Sequence, residues 1–275
     1  MNMISIVIPA LNEEKFLPDL LTSLTRQTNM DFEVVVVDGA SQDRTVEVAR
    51  SFSSKLPNLK VLVSETAGVS HQRNLGARAT SGEWLIFIDA DSTLLPYFIE
   101  RVEWFIKEQK PEFFTTWLRP DSEGSGDALI SLVVNSVVEG SVIFHRSVSP
   151  GPLTIVTRNV FELVGGFDET LSFGEDYDLT QRIAAHRIKL QILRETLYIM
   201  SLRRVRRDGK LHFLYIYTRV SLSVLLTKKN LDHLPSSYVM GGKPYTNINK
   251  RRIRRQLFIN RHKLNEIINK YKSRI

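Results

Sequence analysis

The sequence predicts an α/β protein built on a doubly wound layer, and three observations predict it. Short apolar runs alternate with amphipathic stretches four times within the first ~110 residues. One of those runs, residues 33–38 (EVVVVD), is almost all valine, as suits a parallel strand covered on both faces. The runs also end on polar residues, at Asn12 and Glu13, at Asp38, and at Asp89 and Asp91. In a doubly wound sheet those ends meet along one edge, where ligands bind.

Taken in order, residues 4–10 (ISIVIPA) read as a short buried strand. Residues 13–27 follow as a helix, with Phe16, Leu17, Leu20, Leu21 and Leu24 at helical spacing. The valine strand comes next, then a helix over 42–53, a strand over 60–64, a helix over 70–79 and a strand over 84–89. Pro96 opens the following helix, a favoured place for proline. Residues 127–144 carry Leu129, Leu132, Val133, Val137 and Ile143, and read as a helix. There is no internal repeat and no low-complexity stretch.

The 275 residues suit one large domain, or a domain of about 200 residues with an appendage. Charge favours the second. From Ser201 onward there are 19 Lys and Arg against 3 acids, a net of +16, whereas the first 200 residues net −9. We therefore read residues 1–200 as one domain in two halves, 1–110 and 111–200. Residues 201–275 read as a basic, amphipathic, mainly helical tail. Such a tail meets something anionic, a membrane surface or a nucleic acid. The absence of cysteine excludes disulfides, thiolate nucleophiles and Cys-ligated zinc. The opening MNMISIVIPALNEEKF lacks a basic n-region and reads as part of the fold, not as a signal peptide. No uninterrupted apolar run reaches the ~18–20 residues of a spanning helix. The expectation is a soluble or surface-bound protein.

Unpaired carboxylates at the edge of a core cost stability, so Asp89 and Asp91 need a reason to be there. No Gly-x-x-x-x-Gly-Lys loop or Gly-x-Gly-x-x-Gly turn is present to cradle phosphate. Two carboxylates spaced Asp-x-Asp after a strand suit instead a hard divalent ion, Mg²⁺ or Mn²⁺, completed by the substrate's own phosphates.

Four ordered segments then carry a resemblance. IVIPALNEE, VVVVDGASQDRT, AGVSHQRNLGARATSGEWLIFIDAD and VGGFDETLSFGEDYDLTQR resemble motifs of family 2 glycosyltransferases of the GT-A fold, from Ile4 to about Arg182. That resemblance implies a nucleotide-sugar donor, a UDP-sugar in our reading, and inversion at the anomeric carbon. It implies that the turn bearing Pro9, Ala10, Asn12 and Glu13 holds the base and ribose with Asp38, and that Ser41 and Ala90 belong to the nucleotide-sugar set. Arg73 would reach the base or the diphosphate, and Gly68 would allow close backbone approach. Asp89 would lie near ribose and metal, and Asp91 would ligate the metal. Asp176 matches the family's catalytic base, with Glu175 beside it. These acids, with Asp178, also suit a helix N-terminus, which capping alone would explain, and Arg182 can pair with one of the three. The 149–161 segment (SPGPLTIVTRNVF) matches a loop at the donor sugar and acceptor, through Gly151. The Gln-x-x-Arg-Trp motif of processive members is absent, which implies single-sugar transfer.

The tail opens with Arg203, Arg204, Arg206 and Arg207, suited to an acceptor's lipid phosphate. Residues 211–226 are mostly apolar but contain Arg219, so an interfacial helix fits better than a spanning one. Packing on the domain or on a homodimer mate is the other reading. Residues 250–275 read as a second basic surface helix, and 238–247 as a Gly- and Pro-containing loop. His145 and His212 are left out of the metal set. Taken together, the expectation is a cytoplasmic enzyme, peripheral on the inner face of the membrane, with a lipid-linked or saccharide acceptor. Two rivals remain at this stage, a sugar-phosphate nucleotidyltransferase and a non-enzymatic protein that binds anionic polymers through its tail. The first lacks its glycine-rich loop, and the second lacks any motif for specific nucleic-acid reading.

Overall fold

A computed structural model describes residues 3–122, 124–143, 147–171 and 174–209, apart from the side chains of Ser125, Arg204 and Asp208. The four apolar runs become β1 (Ile4–Ala10), β2 (Phe32–Asp38), β3 (Leu59–Val63) and β4 (Trp84–Ile88), all paired in parallel. Between them lie α1 (Leu17–Leu24), α2 (Thr45–Ser51) and α3 (Val69–Arg78). The chain continues through β5 (Ser92–Leu94), α4 (Phe98–Gln109), β6 (Phe113–Pro120), α5 (Ser125–Ile143), β7 (Leu153–Thr157), α6 (Arg158–Leu163), α7 (Glu175–Ala185), β8 (Gln191–Met200) and α8 (Arg203–Asp208).

The strands form one sheet, ordered β3-β2-β1-β4-β7-β6-β8-β5. It is parallel through β4 and mixed beyond, because β7 runs antiparallel to β4 and to β6 while β6 and β8 run parallel. Apolar clusters cover both faces. Ile4, Ile6 and Ile8 of β1 face α1 and α4, while Val7, Val35 and Val37 face α3, α6 and α7. This two-sided burial is why β2 reads as unbroken valine.

Two expected helices begin late, for a shared reason. Residues 13–16 form a turn in which the Glu13 carbonyl accepts from the amides of Phe16 and Leu17, and Pro18 opens α1. Residues 41–44 are laced to that same turn, so α2 starts only at Thr45. The expected loop over 149–161 needs a larger correction. Residues 149–152 are loop, but Leu153–Thr157 is a fully paired strand in mid-sheet, as its Thr-Ile-Val run suits. On α5, Leu129, Leu132 and Ile143 are exposed. By length and composition Gly126–Ile143 is apolar enough to cross a membrane. One stripe of it nevertheless packs on the sheet through Ile130, Val134 and Val138. Residues 210–275 lie outside the described chain, and with them the expected tail helices, the 238–247 loop and His212; His145 does too.

Candidate active site

The ends of β1 and β2 form the first wall of the site. Asn12 and Ala40 hold left-handed backbone, φ 56° and 62°, as tight turns at functional edges often do. Side chains lock the two turns together. The Asn12 amide donates to Ser41 Oγ at 2.8 Å, and Asn12 Oδ1 accepts from the Gln42 amide at 2.8 Å. The Glu13 amide donates to Thr45 Oγ1 at 2.8 Å. Asp38, 1% exposed, takes the Ser41 amide on Oδ2 at 3.0 Å, while its buried Oδ1 has no protein partner among the described residues. A buried carboxylate oxygen left open in this way is an acceptor site for a ligand. Pro9 and Ala10 close β1 opposite Val37 and Asp38.

Helix α3 supplies the floor, and the sequence alone did not reveal how. Its residues Gln72, Arg73 and Asn74 are polar yet buried. Gln72 Nε2 donates to the carbonyls of Ala10 and Val37 at 2.8 and 2.7 Å, tying the two strand ends together. Asn74 holds Phe167 by both backbone groups and donates to Glu169, docking the Gly-Gly-Phe-Asp-Glu turn against α3. The available signal was a helix with polar side chains on the face that must meet the sheet, and Gly76 at the closest approach. A Cβ at Gly76 would lie 2.4 Å from Val7 Cγ1. Gly68 caps the start of α3 in extended backbone, and an added Cβ there meets only ordinary contact.

Arg73 is the junction. Only 2% exposed, it donates to Asp89 Oδ1 at 2.9 Å, to Glu175 Oε1 at 3.0 Å and to the Gly151 carbonyl at 3.1 Å. Its guanidinium also lies 5.1 Å from the Phe167 ring centre. Burial opposes its charge, yet Asp89, Glu175 and Asp176 together raise its pKa. The sequence reading had Arg73 reach the base or the diphosphate; here its two terminal nitrogens bond to the protein, while its buried Nε has no partner among the described residues. Residues expected to serve the donor (Asp89) and the acceptor (Glu175) thus share one cation.

Asp176 sits beside this junction in the first turn of α7, behind Gly174 at φ 72°. Protein packs closely round its carboxyl, although part of the residue stays open. Burial first, and then the neighbouring Glu175 charge, push its pKa up to about 7, against the pull of Arg73. A carboxylate with that value can take and release a proton near neutrality. A Cβ on Gly151 would lie 2.9 Å from Asp176 Oδ2, so the glycine leaves that carboxylate its room. Arg182 pairs with Asp178, one of the acids expected for it.

The arginines of α8 fall in two places. Arg203 forks onto both oxygens of Glu13, reaches Asp91 Oδ2 at 2.9 Å and stacks over Phe16 at 4.2 Å. It therefore lies against the donor-side carboxylates. Burial raises the Glu13 pKa, and Arg203 opposes that. Arg206 pairs with Asp121 at 2.5 Å and Asp127 at 3.5 Å, and Arg207 is half-buried. Ala90, between the two aspartates, is buried. Among the described residues no three His, Cys, Asp or Glu side chains converge as a ready-made metal site. Asp89 and Asp91 are oxygen donors suited to a hard ion that arrives with a diphosphate, which supplies the missing ligands.

A parallel half-sheet with carboxylates at its strand ends, joined through β4 and β7 to a mixed half bearing an acidic helix start, defines the GT-A class of nucleotide-sugar transferase. The sequence model of glycosyl transferase family 2 matches residues 5–131, and that segment belongs to the family. An uncharacterised glycosyltransferase of Haemophilus influenzae is 29% identical over 245 residues, covering 86% of this chain and 77% of that one. Among solved structures, Staphylococcus aureus TarS residues 1–349 in complex with UDP-GlcNAc has a TM-score of 0.63 at 24% identity, covering 74% of this chain and 59% of that one. The mannosyltransferase PcManGT of Pyrobaculum calidifontis, in complex with GDP-Man and Mn²⁺, has a TM-score of 0.61 at 21% identity, covering 78% and 64%. At these identities the likeness is one of fold, and the chain spans less than two thirds of either structure.

Proposed function

We propose that this glycosyltransferase moves one sugar, with inversion, from a UDP-sugar to a hydroxyl of a lipid-linked or saccharide acceptor. The observation that carries this reading is the Arg73 junction, which joins the Asp-x-Asp and the Glu175–Asp176 pair in one buried ionic cluster. A single displacement needs a donor-holding edge and a base on the opposite side of the anomeric carbon, and these are the two halves so joined. Asp176 takes the acceptor's hydroxyl proton as that oxygen attacks the anomeric carbon, and the carbon–oxygen bond to the diphosphate breaks. Glu175 holds Arg73 and, through its charge, keeps the base strong. Asp38 Oδ1 accepts from the uracil imide or a ribose hydroxyl, in line with TarS having been solved with UDP-GlcNAc. Asp91 and Asp89 would hold Mg²⁺ or Mn²⁺, whose charge offsets that developing on the leaving diphosphate. The basic tail would bring the enzyme to an anionic membrane surface on the cytoplasmic side, where a lipid-linked acceptor resides.

The test is thermal stability against UDP, GDP, dTDP and CMP, each with and without Mn²⁺ or Mg²⁺. UDP with metal at a hundred times its dissociation constant should stabilise by about 2.7 kcal/mol. Asp91→Asn should lose the metal-dependent part, and Asp38→Asn most of the nucleotide effect. A wild type indifferent to every nucleotide under both metals would sink the reading.

A further inference from the structure

We infer that the outward stripe of α5 is a membrane-docking face, inserting flat into the headgroup region of an anionic lipid surface. Leu129, Leu132 and Ile143 are 51%, 63% and 70% exposed, and the other exposed positions along the helix are Ala128 and Ser136. The exposed stripe carries no charge over the helix's 19 residues, about 28 Å. A helix turned to water normally keeps its polar residues outward, and here the order is inverted.

Spanning is ruled out by what the rest of α5 does. Asn135 exchanges two hydrogen bonds with the backbone of Leu118, at 3.1 Å each. Glu139 accepts from Trp117 Nε1 and pairs with Arg194, both at 3.0 Å. These contacts pin one side of α5 to β6 and β8, so only the outer side is available to lipid. A helix fixed in this way lies in the interface instead of crossing it.

Charge chooses the partner. Arg206 grips Asp121 just before α5 and Asp127 in its first turn, and the described chain ends three residues later at Gly209. The residues that follow Gly209 carry 15 Lys and Arg against 2 acids, a net of +13, and the chain enters them from the N-terminal end of the apolar stripe. An exposed apolar stripe on a chain that continues from Gly209 into a strongly basic stretch matches an anionic bilayer, whereas a second copy would bring two such stretches together. This deepens the membrane-surface reading proposed above and rests on it.

The chain has no cysteine, so Leu132→Cys accepts an environment-sensitive fluorophore at that site alone. Glu47→Cys, exposed on α2, is the control. Full-length protein is mixed with phosphatidylcholine vesicles with and without phosphatidylglycerol, and both pelleting and probe emission are read. The expected result is pelleting with anionic vesicles, a blue shift at position 132 quenched by nitroxide-labelled lipid, and no shift at position 47. Leu132→Asp combined with Ile143→Asp should weaken pelleting about tenfold while leaving the melting temperature unchanged. Pelleting with a silent probe at 132 would overturn the α5 inference and leave the membrane reading standing. No pelleting would overturn both. A blue shift without vesicles that grows with protein concentration would assign the stripe to a second copy instead.

Discussion

At the scale of single residues, Arg73 and Glu175 act on Asp176 with opposite signs. Glu175 raises the Asp176 pKa and Arg73 lowers it, each through its charge. Replacing them should therefore move the acid limb of kcat/KM in opposite directions. With Asp176 ionising near 7, the wild-type limb should fall close to neutrality, with activity lost as pH drops. Glu175→Gln removes a like charge and frees Arg73, so its limb should move to lower pH. Arg73→Gln should move the limb higher, and should destabilise the fold by about 3–5 kcal/mol because Asp89 and Glu175 lose their shared partner. A pH–rate series on the three proteins decides it. Limbs that coincide would remove Asp176 from the role of base. Of these residues, Asp176 and Glu175 were legible as candidates through the resemblance of their segment to the family's motif, since acids at a helix start suit capping equally well. The partners of Arg73 were not legible, since an arginine buried between carboxylates from two distant segments and the Gly151 carbonyl depends on long-range packing that spacing along the chain does not encode.

At the scale of elements, α8 and the β1–α1 turn form one unit through Arg203. Its guanidinium neutralises Glu13 and Asp91, so a metal ion must displace a resident cation to reach Asp91. Arg203→Gln should therefore bind Mn²⁺ alone more tightly, on the order of tenfold, as a removed charge near 3 Å suggests. Titration followed by the electron spin resonance of free Mn²⁺ measures it directly. Unchanged affinity would mean that Asp91 is not where the metal binds. The sequence reading took the arginine cluster as an acceptor-phosphate site, because four arginines in five positions say cation and nothing about direction. The strands β1, β2 and β4 were legible for the opposite reason: burial on both faces forces apolar composition, whereas β3, at the sheet edge, is only partly buried. The edge and antiparallel strands β5, β6 and β8 carry Thr, Arg, Glu and Pro among their apolar residues, and only tertiary pairing makes them strands.

For the whole molecule, a carboxyl whose pKa burial raises costs stability, and the cost has a pH signature. Asp176 ionises at about 7 in the folded protein against the ordinary 3.8 of an unfolded chain. Between those values the native state binds the proton and the unfolded state does not, so stability falls as pH rises through that window. Below pH 3.8 both states are protonated, and above 7 the full penalty applies. Asp176→Asn removes the ionisation, so its advantage over wild type should grow from pH 5 to pH 8 and reach on the order of 2 kcal/mol. Urea unfolding of both proteins at the two pH values, without nucleotide, measures the difference. Glu13, also raised by burial, contributes in the same direction to both proteins and cancels in the comparison. If the gap between wild type and Asp176→Asn is the same at pH 5 and pH 8, Asp176 is already ionised at the lower pH. The active site would then exert no such strain on the fold.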